Sequence, residues 1–274
     1  MGERAMHEAN RRHWNAAAAA WRAMRDRDQL WRRCPQEPEL AFAGEALAMV
    51  RAALGDPAGK RACVIGAGDA YAAFALAGMG VAVTATDISE RQLEVAAQRA
   101  SELGQPIAIV RCDAADLSPL PDSAFDLVCS TNGFFVWITN PGQVFRAVSR
   151  VLKPGGTYVF YDIHPFQRPW KDQPALEMAK PYWESGPFAE GTPEATAYEA
   201  HWTLGDLLNG LADAGLVIRG IAESPAKDSR FWQGHDYLPG TDLSLLDWRT
   251  NPRAGLPVWL SVAAQRPRAE GAGT

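Results

Sequence analysis

The middle of the chain alternates between short apolar runs and longer amphipathic segments. The apolar runs predict strands at Ala62–Ile65, Val81–Thr86, Ile107–Cys112, Phe125–Ser130 and Thr157–Ile163. The segments between them predict helices at Ala70–Gly78, Ser89–Leu103 and Gln143–Leu152. Strands that are joined by helices of this length pair in parallel, because the chain must cross back over the sheet between them. The pattern therefore predicts an α/β domain whose sheet is covered by helices on both faces.

The two ends of the chain follow other patterns. Helical periodicity at Ala5–Arg33 and Glu37–Leu54 predicts an N-terminal helical lid over residues 1–55, ahead of a core over residues 56–274. A late helix, Leu204–Ala214, and two late strands, Leu216–Ala222 and Val258–Gln265, bring the predicted sheet to seven strands. Segments rich in proline and aromatic residues, at about 164–200 and 224–255, are predicted as insertions after strands five and six.

Composition narrows the classes of partner. The chain has 274 residues, 47% of them hydrophobic, and a net charge of −5, as expected of a single globular domain and not of a nucleic-acid-binding surface. No apolar run reaches the roughly 20 residues of a membrane helix. The four cysteines lack metal-ligand spacing, so we expect no metal and a reduced, cytoplasmic protein.

Polar residues follow three of the predicted strands. The first strand runs into Gly66-Ala67-Gly68-Asp69, the second ends at Asp87 and the third at Asp113. In a parallel sheet these positions share the carboxyl edge, where glycines admit a close ligand and carboxylates accept hydroxyl or amino hydrogens. The glycines alone would make an ordinary turn, and each aspartate alone would cap a helix. Their order along successive strands favours a nucleotide site.

The stretch from about 61 to 162 resembles the core of class I S-adenosylmethionine-dependent methyltransferases. The resemblance rests on the loop Val64–Asp69, Asp87, Cys112-Asp113-Ala114, the strand Phe125–Ser130 and Val151–Gly156, and it covers a little over a third of the chain. It implies a Rossmann-like, mostly parallel sheet of seven strands, with S-adenosyl-L-methionine as cofactor and a small molecule as methyl acceptor.

The resemblance also implies roles for individual residues. The loop Gly66–Gly68 would contact the methionine portion, Asp87 the ribose and Asp113 the adenine. The full set of implied cofactor-binding residues is Gly66, Ala67, Gly68, Asp69, Asp87, Ile88, Gln92, Cys112, Asp113, Ala114, Thr131 and Asn132.

Two positions depart from the family pattern. Val64 stands where the family usually has an acidic residue that helps to hold the methionine ammonium, and Ala70 replaces the third glycine of the loop. Our hypothesis is that Asp69, inside the loop, supplies the missing negative charge.

Two other functions stay open at this point. Gly66-x-Gly68-x-x-Tyr71 followed by an acidic residue is similar to the fingerprint of NAD(P)-dependent oxidoreductases. Tyr71 stands where close helix packing requires a small residue, and Asp69 would repel a pyrophosphate, so this reading is less favoured. A protein that binds S-adenosylmethionine without transferring a methyl group is the other alternative.

Methyl transfer needs a base only when the acceptor atom carries a proton. The candidates are His164, which follows the fifth strand, and His201, with His235 in the second aromatic segment. The acceptor is predicted to be a small aromatic or apolar specialised metabolite, with O-, N- or C-methylation left open and a homodimer also left open. The predicted substrate-binding residues are Trp14, Trp21, Trp137, Tyr161, His164, Trp183 and Trp232.

Overall fold

A computed structural model describes residues 2–171, 176–191, 196–233 and 242–268. The helices are α1 (Glu3–Arg25), α2 (Leu30–Arg33), α3 (Ala46–Leu54), α4 (Tyr71–Gly78), α5 (Glu90–Leu103), α6 (Pro141–Val151) and α7 (Leu204–Asp213). The strands are β1 (Arg61–Ile65), β2 (Ala82–Asp87), β3 (Ala108–Arg111), β4 (Phe125–Ser130), β5 (Leu152–Ile163), β6 (Phe188–Glu190), β7 (Ala197–Glu199), β8 (Val217–Ser224) and β9 (Trp259–Gln265). Among the described residues, no helix combines the length and the apolar character that crossing a bilayer requires.

Seven of these strands form one sheet in the order β3-β2-β1-β4-β5-β9-β8. The first five pair in parallel, and β9 runs antiparallel to both of its neighbours. The predicted seven-stranded, mostly parallel sheet is therefore confirmed. Strand order reverses direction between β1 and β4, and the carboxyl edge at such a switch point is where open α/β sheets bind their ligands.

Each face of the sheet buries its own apolar core. One core includes Val64, Phe74 and Val83, with α3, α4 and α5 packed against the sheet. The other includes Phe145 and Phe160, with α6 and α7 on that face. Since side chains of a strand alternate between faces, a strand covered on both sides reads as a continuous apolar run, as predicted here.

The predicted helix over Ala5–Arg33 is confirmed as far as Arg25 but is not continuous beyond it. The structure breaks it after Arg25, and Gln29 takes a left-handed conformation (φ 49°) before α2 begins. Asp26 caps the end of α1, and Asp28 accepts a hydrogen bond from the Leu30 amide, 3.1 Å away. These local bonds compete with helical hydrogen bonding, so the periodic pattern overstated the length of the helix.

The predicted helix over Glu37–Leu54 is also too long, because only Ala46–Leu54 is α-helical. Gly44 has φ +61°, and a Cβ there would approach Ser261 Oγ to 2.9 Å. The chain therefore passes too close to β9 at this point for a continuous helix.

Two further elements differ from the prediction. β5 begins at Leu152, five residues before the predicted start, because Leu152 already pairs with Phe125 of β4. The predicted irregular segment 164–200 contains the antiparallel hairpin of β6 and β7. These two strands are three residues each, too short for an alternating pattern to identify them.

Candidate active site at the carboxyl edge of the sheet

The glycine loop after β1 turns tightly and leaves space at its tip. Gly66 and Gly68 both have positive φ, and a Cβ on Gly68 would meet no heavy atom within 4 Å. A Cβ on Gly66 would instead reach 2.4 Å from the Phe134 ring, so this position requires glycine. The amides of Ala67 and Gly68 donate to Thr86 O and Asp87 Oδ2, each 2.8 Å away. The loop is therefore held to β2 while Gly68 faces open space.

Ala70 adopts the conformation that a third glycine would take without strain. Its φ of 74° and ψ of 24° lie in the left-handed region, and its side chain is fully buried. A left-handed non-glycine residue costs roughly 1–2 kcal/mol. The departure from the family pattern at Ala70 thus changes the side chain but keeps the backbone path of the loop.

Asp87, at the end of β2, is half-buried and presents acceptors to this space. Its two carboxylate oxygens accept from the Gly68 and Ser89 amides, each at 2.8 Å. Burial raises the pKa of Asp87, and the backbone hydrogen bonds oppose that shift. A carboxylate has about four acceptor positions, so others stay available for the hydroxyls of a ribose.

Asp113 lies on the same edge, two residues beyond the end of β3. Its Oδ1 accepts from the Ala115 amide at 2.9 Å, and its Oδ2 accepts from His7 Nδ1 of α1 at 2.5 Å. Burial alone would raise the pKa of Asp113, but the hydrogen bond from His7 lowers it. The same bond raises the pKa of His7. The Asp113 side chain is still 29% exposed, so it keeps room for a ligand amino group.

Helix α1 crosses this edge and covers it. His7 Nε2 lies 2.5 Å from Thr139 Oγ1 in the segment after β4. Asn10, which is buried, donates to Tyr198 O (2.9 Å) and accepts from the Tyr198 amide (2.7 Å), which joins α1 to the β6–β7 hairpin. Trp14 meets Trp137 edge to face at 5.2 Å. The first half of α1 therefore connects Asp113, the segment after β4 and the β6–β7 hairpin.

Comparisons with known proteins agree with this geometry. A family model described as a methyltransferase domain matches residues 63–160. A solved structure of an S-adenosylmethionine-dependent methyltransferase from Mesorhizobium loti superimposes with a TM-score of 0.61 and 25% identity, over 82% of this chain and 98% of that chain. The chain therefore contains a class I S-adenosylmethionine-dependent methyltransferase domain. The predicted family is confirmed, and with it S-adenosylmethionine as the family's cofactor.

Curated relatives match this chain over shorter stretches. It is 33% identical over 104 residues to a ubiquinone biosynthesis O-methyltransferase of Thiobacillus denitrificans, which is 38% of this chain and 44% of the relative. It is 35% identical over 132 residues to a demethylmenaquinone methyltransferase of Clavibacter sepedonicus, which is 48% of this chain and 46% of the relative. The chain thus spans less than half the length of these relatives, and the matches do not extend over the whole of either protein.

The residues at the edge fit S-adenosylmethionine in chemical type. Asp87 and Asp113 are acceptors at the ends of adjacent strands, as a ribose diol and an adenine amino group require. The open space beside Gly68 admits a ligand close to the backbone. Ile88 and Thr131 are half-exposed and Asn132 is exposed on this edge, whereas Cys112, Ala114 and Gln92 are buried beneath it.

The structure corrects the hypothesis for Asp69. Its carboxylate is buried and accepts from Arg99 of α5, with Asp69 Oδ2 2.6 Å from Arg99 Nη1. A carboxylate that neutralises a buried guanidinium is unavailable to a methionine ammonium. Asp69 therefore holds the loop from behind and does not replace the acidic residue missing at Val64.

His164 is also corrected as the leading base candidate. Its ring is wholly buried, Nδ1 accepts from the Phe166 amide at 3.1 Å, and Nε2 lies 2.7 Å from Glu223 Oε1. Burial lowers the pKa of His164, against the opposing effect of Glu223. Because the ring has no exposed surface, His164 is closed to an acceptor.

His201 differs from His164 in two respects: its side chain is 17% exposed, and the residue lines a cavity. Its Nε2 lies 3.4 Å from Glu199 Oε2, and its Nδ1 is buried without a hydrogen-bond partner among the residues that the structure describes. The ring lines a small cavity together with Phe135, Asp162, Arg168 and Trp202. That cavity lies beside the carboxyl ends of β4 and β5, next to the cofactor edge. His235 lies outside the described residues.

Of the predicted substrate-binding aromatic residues, three lie together and three lie elsewhere. Trp14, Trp21 and Trp137 form one contiguous cluster on the lid, with Trp14 5.7 Å from Trp21. Tyr161 is corrected, since its hydroxyl donates to Ala41 O and its ring is buried in the core. Trp183 is also corrected, because it is 80% exposed. Trp232 packs against Phe231, away from the lid cluster.

Asp162 is a site residue that the sequence interpretation missed. It is buried in β5 and accepts from the amides of Gly133 (2.9 Å), Phe135 (2.9 Å) and Ile163 (2.7 Å). It therefore fixes the loop after β4, which carries Thr131 and Asn132. The available signal was a carboxylate inside an otherwise apolar strand, since an unpaired carboxylate is rarely buried.

Proposed function

We propose that this protein transfers a methyl group from S-adenosylmethionine to a small acceptor. The observation that carries the proposal is the pair of carboxylates, Asp87 and Asp113, at the ends of adjacent strands beside the open backbone at Gly68. This pair lies within the residues that match the methyltransferase family. A ribose diol and an adenine amino group together satisfy both carboxylates. Since a dinucleotide carries the same adenosine, the family match is what favours S-adenosylmethionine over it.

The cofactor supplies an electrophilic methyl group, so the protein has to align the acceptor and exclude water. In this chain Asp87 orients the ribose, and Asp162 holds the Gly133–Phe135 backbone at the methyl end. The first half of α1 covers the edge. When the acceptor atom carries a proton, His201 Nδ1 accepts it, while Glu199 holds the imidazole from the other side.

We propose a flat ring as the acceptor. The lid cluster of Trp14, Trp21 and Trp137 provides apolar ring surfaces, and His13 stacks on Trp137 at 5.3 Å. Aromatic walls of this kind favour aromatic ligands. The two relatives named above both carry names that refer to quinones, which supports a ring acceptor and leaves its identity to experiment.

We also propose a cytoplasmic specialised-metabolism enzyme that acts without nucleic acid. All four cysteines are free and buried, which suits a reducing compartment. The net charge of −5 disfavours a phosphate backbone as partner.

Calorimetry with S-adenosylhomocysteine and, in parallel, NADH tests the cofactor assignment. We expect S-adenosylhomocysteine to bind with a micromolar Kd and NADH not to bind. Incubation with S-adenosylmethionine and a panel of phenols, indoles and amines then tests transfer, and the readout is the mass of one added methyl group. Binding of NADH alone contradicts the proposal, and cofactor binding without any methylated product on a broad panel favours the non-catalytic alternative.

Replacement of His201 by glutamine distinguishes the two histidine candidates. For a protonated acceptor, we expect kcat to fall by about 100-fold, since general-base catalysis contributes roughly 10²–10⁴ in rate, while the Kd for S-adenosylhomocysteine stays within about twofold. The readout is kcat across pH with the best acceptor of the panel. His164→Gln is the comparison variant, for which we expect lower thermal stability and little change in kcat. A large loss of kcat in His164→Gln with none in His201→Gln would reverse the assignment.

A further inference from the structure

A buried arginine joins the lid to the glycine loop from behind. Arg99, in α5, has a side chain that is only 3% exposed. Its Nη1 donates to Asp69 Oδ2 at 2.6 Å and its Nη2 donates to Asp26 Oδ1 at 2.8 Å. Asp69 stands in the loop between Gly68 and Ala70, and Asp26 caps the end of α1. One guanidinium therefore bridges two carboxylates that are 43 positions apart in the chain.

The surroundings of Arg99 hold this bridge in one geometry. The indole of Trp31 donates to Asp26 Oδ1 at 3.2 Å, and its ring lies 4.9 Å from the Arg99 guanidinium carbon. Burial alone would raise the pKa of Asp26, but the hydrogen bond from Arg99 lowers it. A guanidinium holds its donating nitrogens in one fixed plane, so it suits a contact with two carboxylates better than an ammonium does.

Stability alone is a weak reason for this arrangement. The Arg99–Asp69 pair is buried, and desolvation offsets most of the attraction in such a pair. Asp26 is 39% exposed, and an ion pair to an exposed partner contributes little to stability. What the charged bridge adds is a defined geometry between two segments. On one side lies Asp69, flanked by two residues in left-handed conformations; on the other lies the break between α1 and α2, where Gln29 is left-handed.

The lid also contacts the cofactor edge at its other end, where His7 donates to Asp113. Helix α1 is therefore tied to the proposed adenine carboxylate near its start and, through Arg99, to the glycine loop at its end. A ligand that orders the glycine loop therefore affects both contacts of α1, the one between His7 and Asp113 and the one that runs through Arg99.

We infer that Arg99 is a positioning residue that couples closure of the α1 lid to the glycine loop, so that cofactor affinity depends on Asp26, a residue outside the cofactor site. This inference rests on the proposed function, because it presumes that the loop binds S-adenosylmethionine. The coupling is reciprocal: the lid strengthens cofactor binding, and the cofactor orders the lid.

The test compares Asp26→Asn with a matched control, Glu102→Gln. Glu102 lies one helical turn beyond Arg99 in α5 and pairs with Arg32 of α2 at 2.7 Å, on the surface and away from the loop. Both changes remove one carboxylate charge between the lid region and α5. The measurements are the Kd for S-adenosylhomocysteine by calorimetry and amide hydrogen exchange in α1 with and without that ligand.

For Asp26→Asn we expect the Kd to rise about five- to tenfold, within the usual range of coupling between sites, and the ligand to lose its protective effect on α1 amides. For Glu102→Gln we expect both quantities to match the parent protein. Arg99→Lys keeps the charge but loses the two-pronged contact, so Asp26→Asn in that background should change the Kd less than about twofold.

Three outcomes overturn the inference while leaving cofactor binding intact. They are an unchanged Kd in Asp26→Asn, an equal rise in Glu102→Gln, and an undiminished effect of Asp26→Asn in the Arg99→Lys background. If the parent protein does not bind S-adenosylhomocysteine, the proposed function itself fails and this inference fails with it.

Discussion

Replacement of Asp87 by asparagine is expected to weaken S-adenosylhomocysteine binding about 100-fold. Both carboxylate oxygens already accept backbone amides, from Gly68 and Ser89. Asparagine replaces one of these oxygens by an amide nitrogen, which cannot accept a hydrogen bond. That nitrogen must face either one of the N–H groups or a ribose hydroxyl, and the hydrogen bond donated by that group is lost. Loss of charge-assisted hydrogen bonds at one buried group amounts to about 3 kcal/mol, which corresponds to the expected change in Kd.

Asp116→Asn is the control for this measurement. Asp116 also lies beyond β3, is exposed, and accepts only a local bond from the Ser118 amide at 3.0 Å. We expect its Kd to match the parent protein by calorimetry. A Kd for Asp87→Asn within about threefold of the parent would remove Asp87 from the ribose site.

Replacement of Asp162 by alanine is expected to lower both stability and turnover. Three backbone amides, those of Gly133, Phe135 and Ile163, would lose a buried acceptor. Unsatisfied buried donors cost roughly 1–3 kcal/mol each before relaxation, so we expect the free energy of unfolding to fall by about 3 kcal/mol in urea titrations. The loop after β4 would also shift relative to the methyl group, and a displacement of about 1 Å lowers kcat on the order of 100-fold.

Asp126→Asn separates the two effects. Asp126 is also a strand carboxylate, half-buried where Asp162 is buried, and it accepts from the Arg61 amide at 3.0 Å. It lies at the start of β4, on the opposite edge of the sheet. We expect this variant to lose stability and to keep its kcat at temperatures where it is folded. If Asp162→Ala, or Asp162→Asn where alanine prevents folding, keeps full kcat in its folded fraction, then Asp162 is a structural residue only.

The histidines show where reasoning from sequence position stops. His164 follows the fifth predicted strand and His201 precedes the late helix, and position along the chain favoured His164. In the structure the His164 ring is wholly buried between Glu223 and the Phe166 amide, which argues against a role as base. His201 lines a cavity, so we propose it ahead of His164. Side-chain burial and partners depend on segments far along the chain, which no local pattern records.

The glycine loop shows the same division at finer scale. The sequence by itself determined the seven-stranded, mostly parallel sheet and the carboxylates at the ends of β2 and β3, because the period of apolar residues and the turn residues act locally. It also located the loop that departs from the family pattern. Only the tertiary structure decided what Asp69 does, because its partner is Arg99, 30 residues further on, and that partner is shared with Asp26. The role of a charged loop residue such as Asp69 depends on which opposite charge the folded chain places beside it.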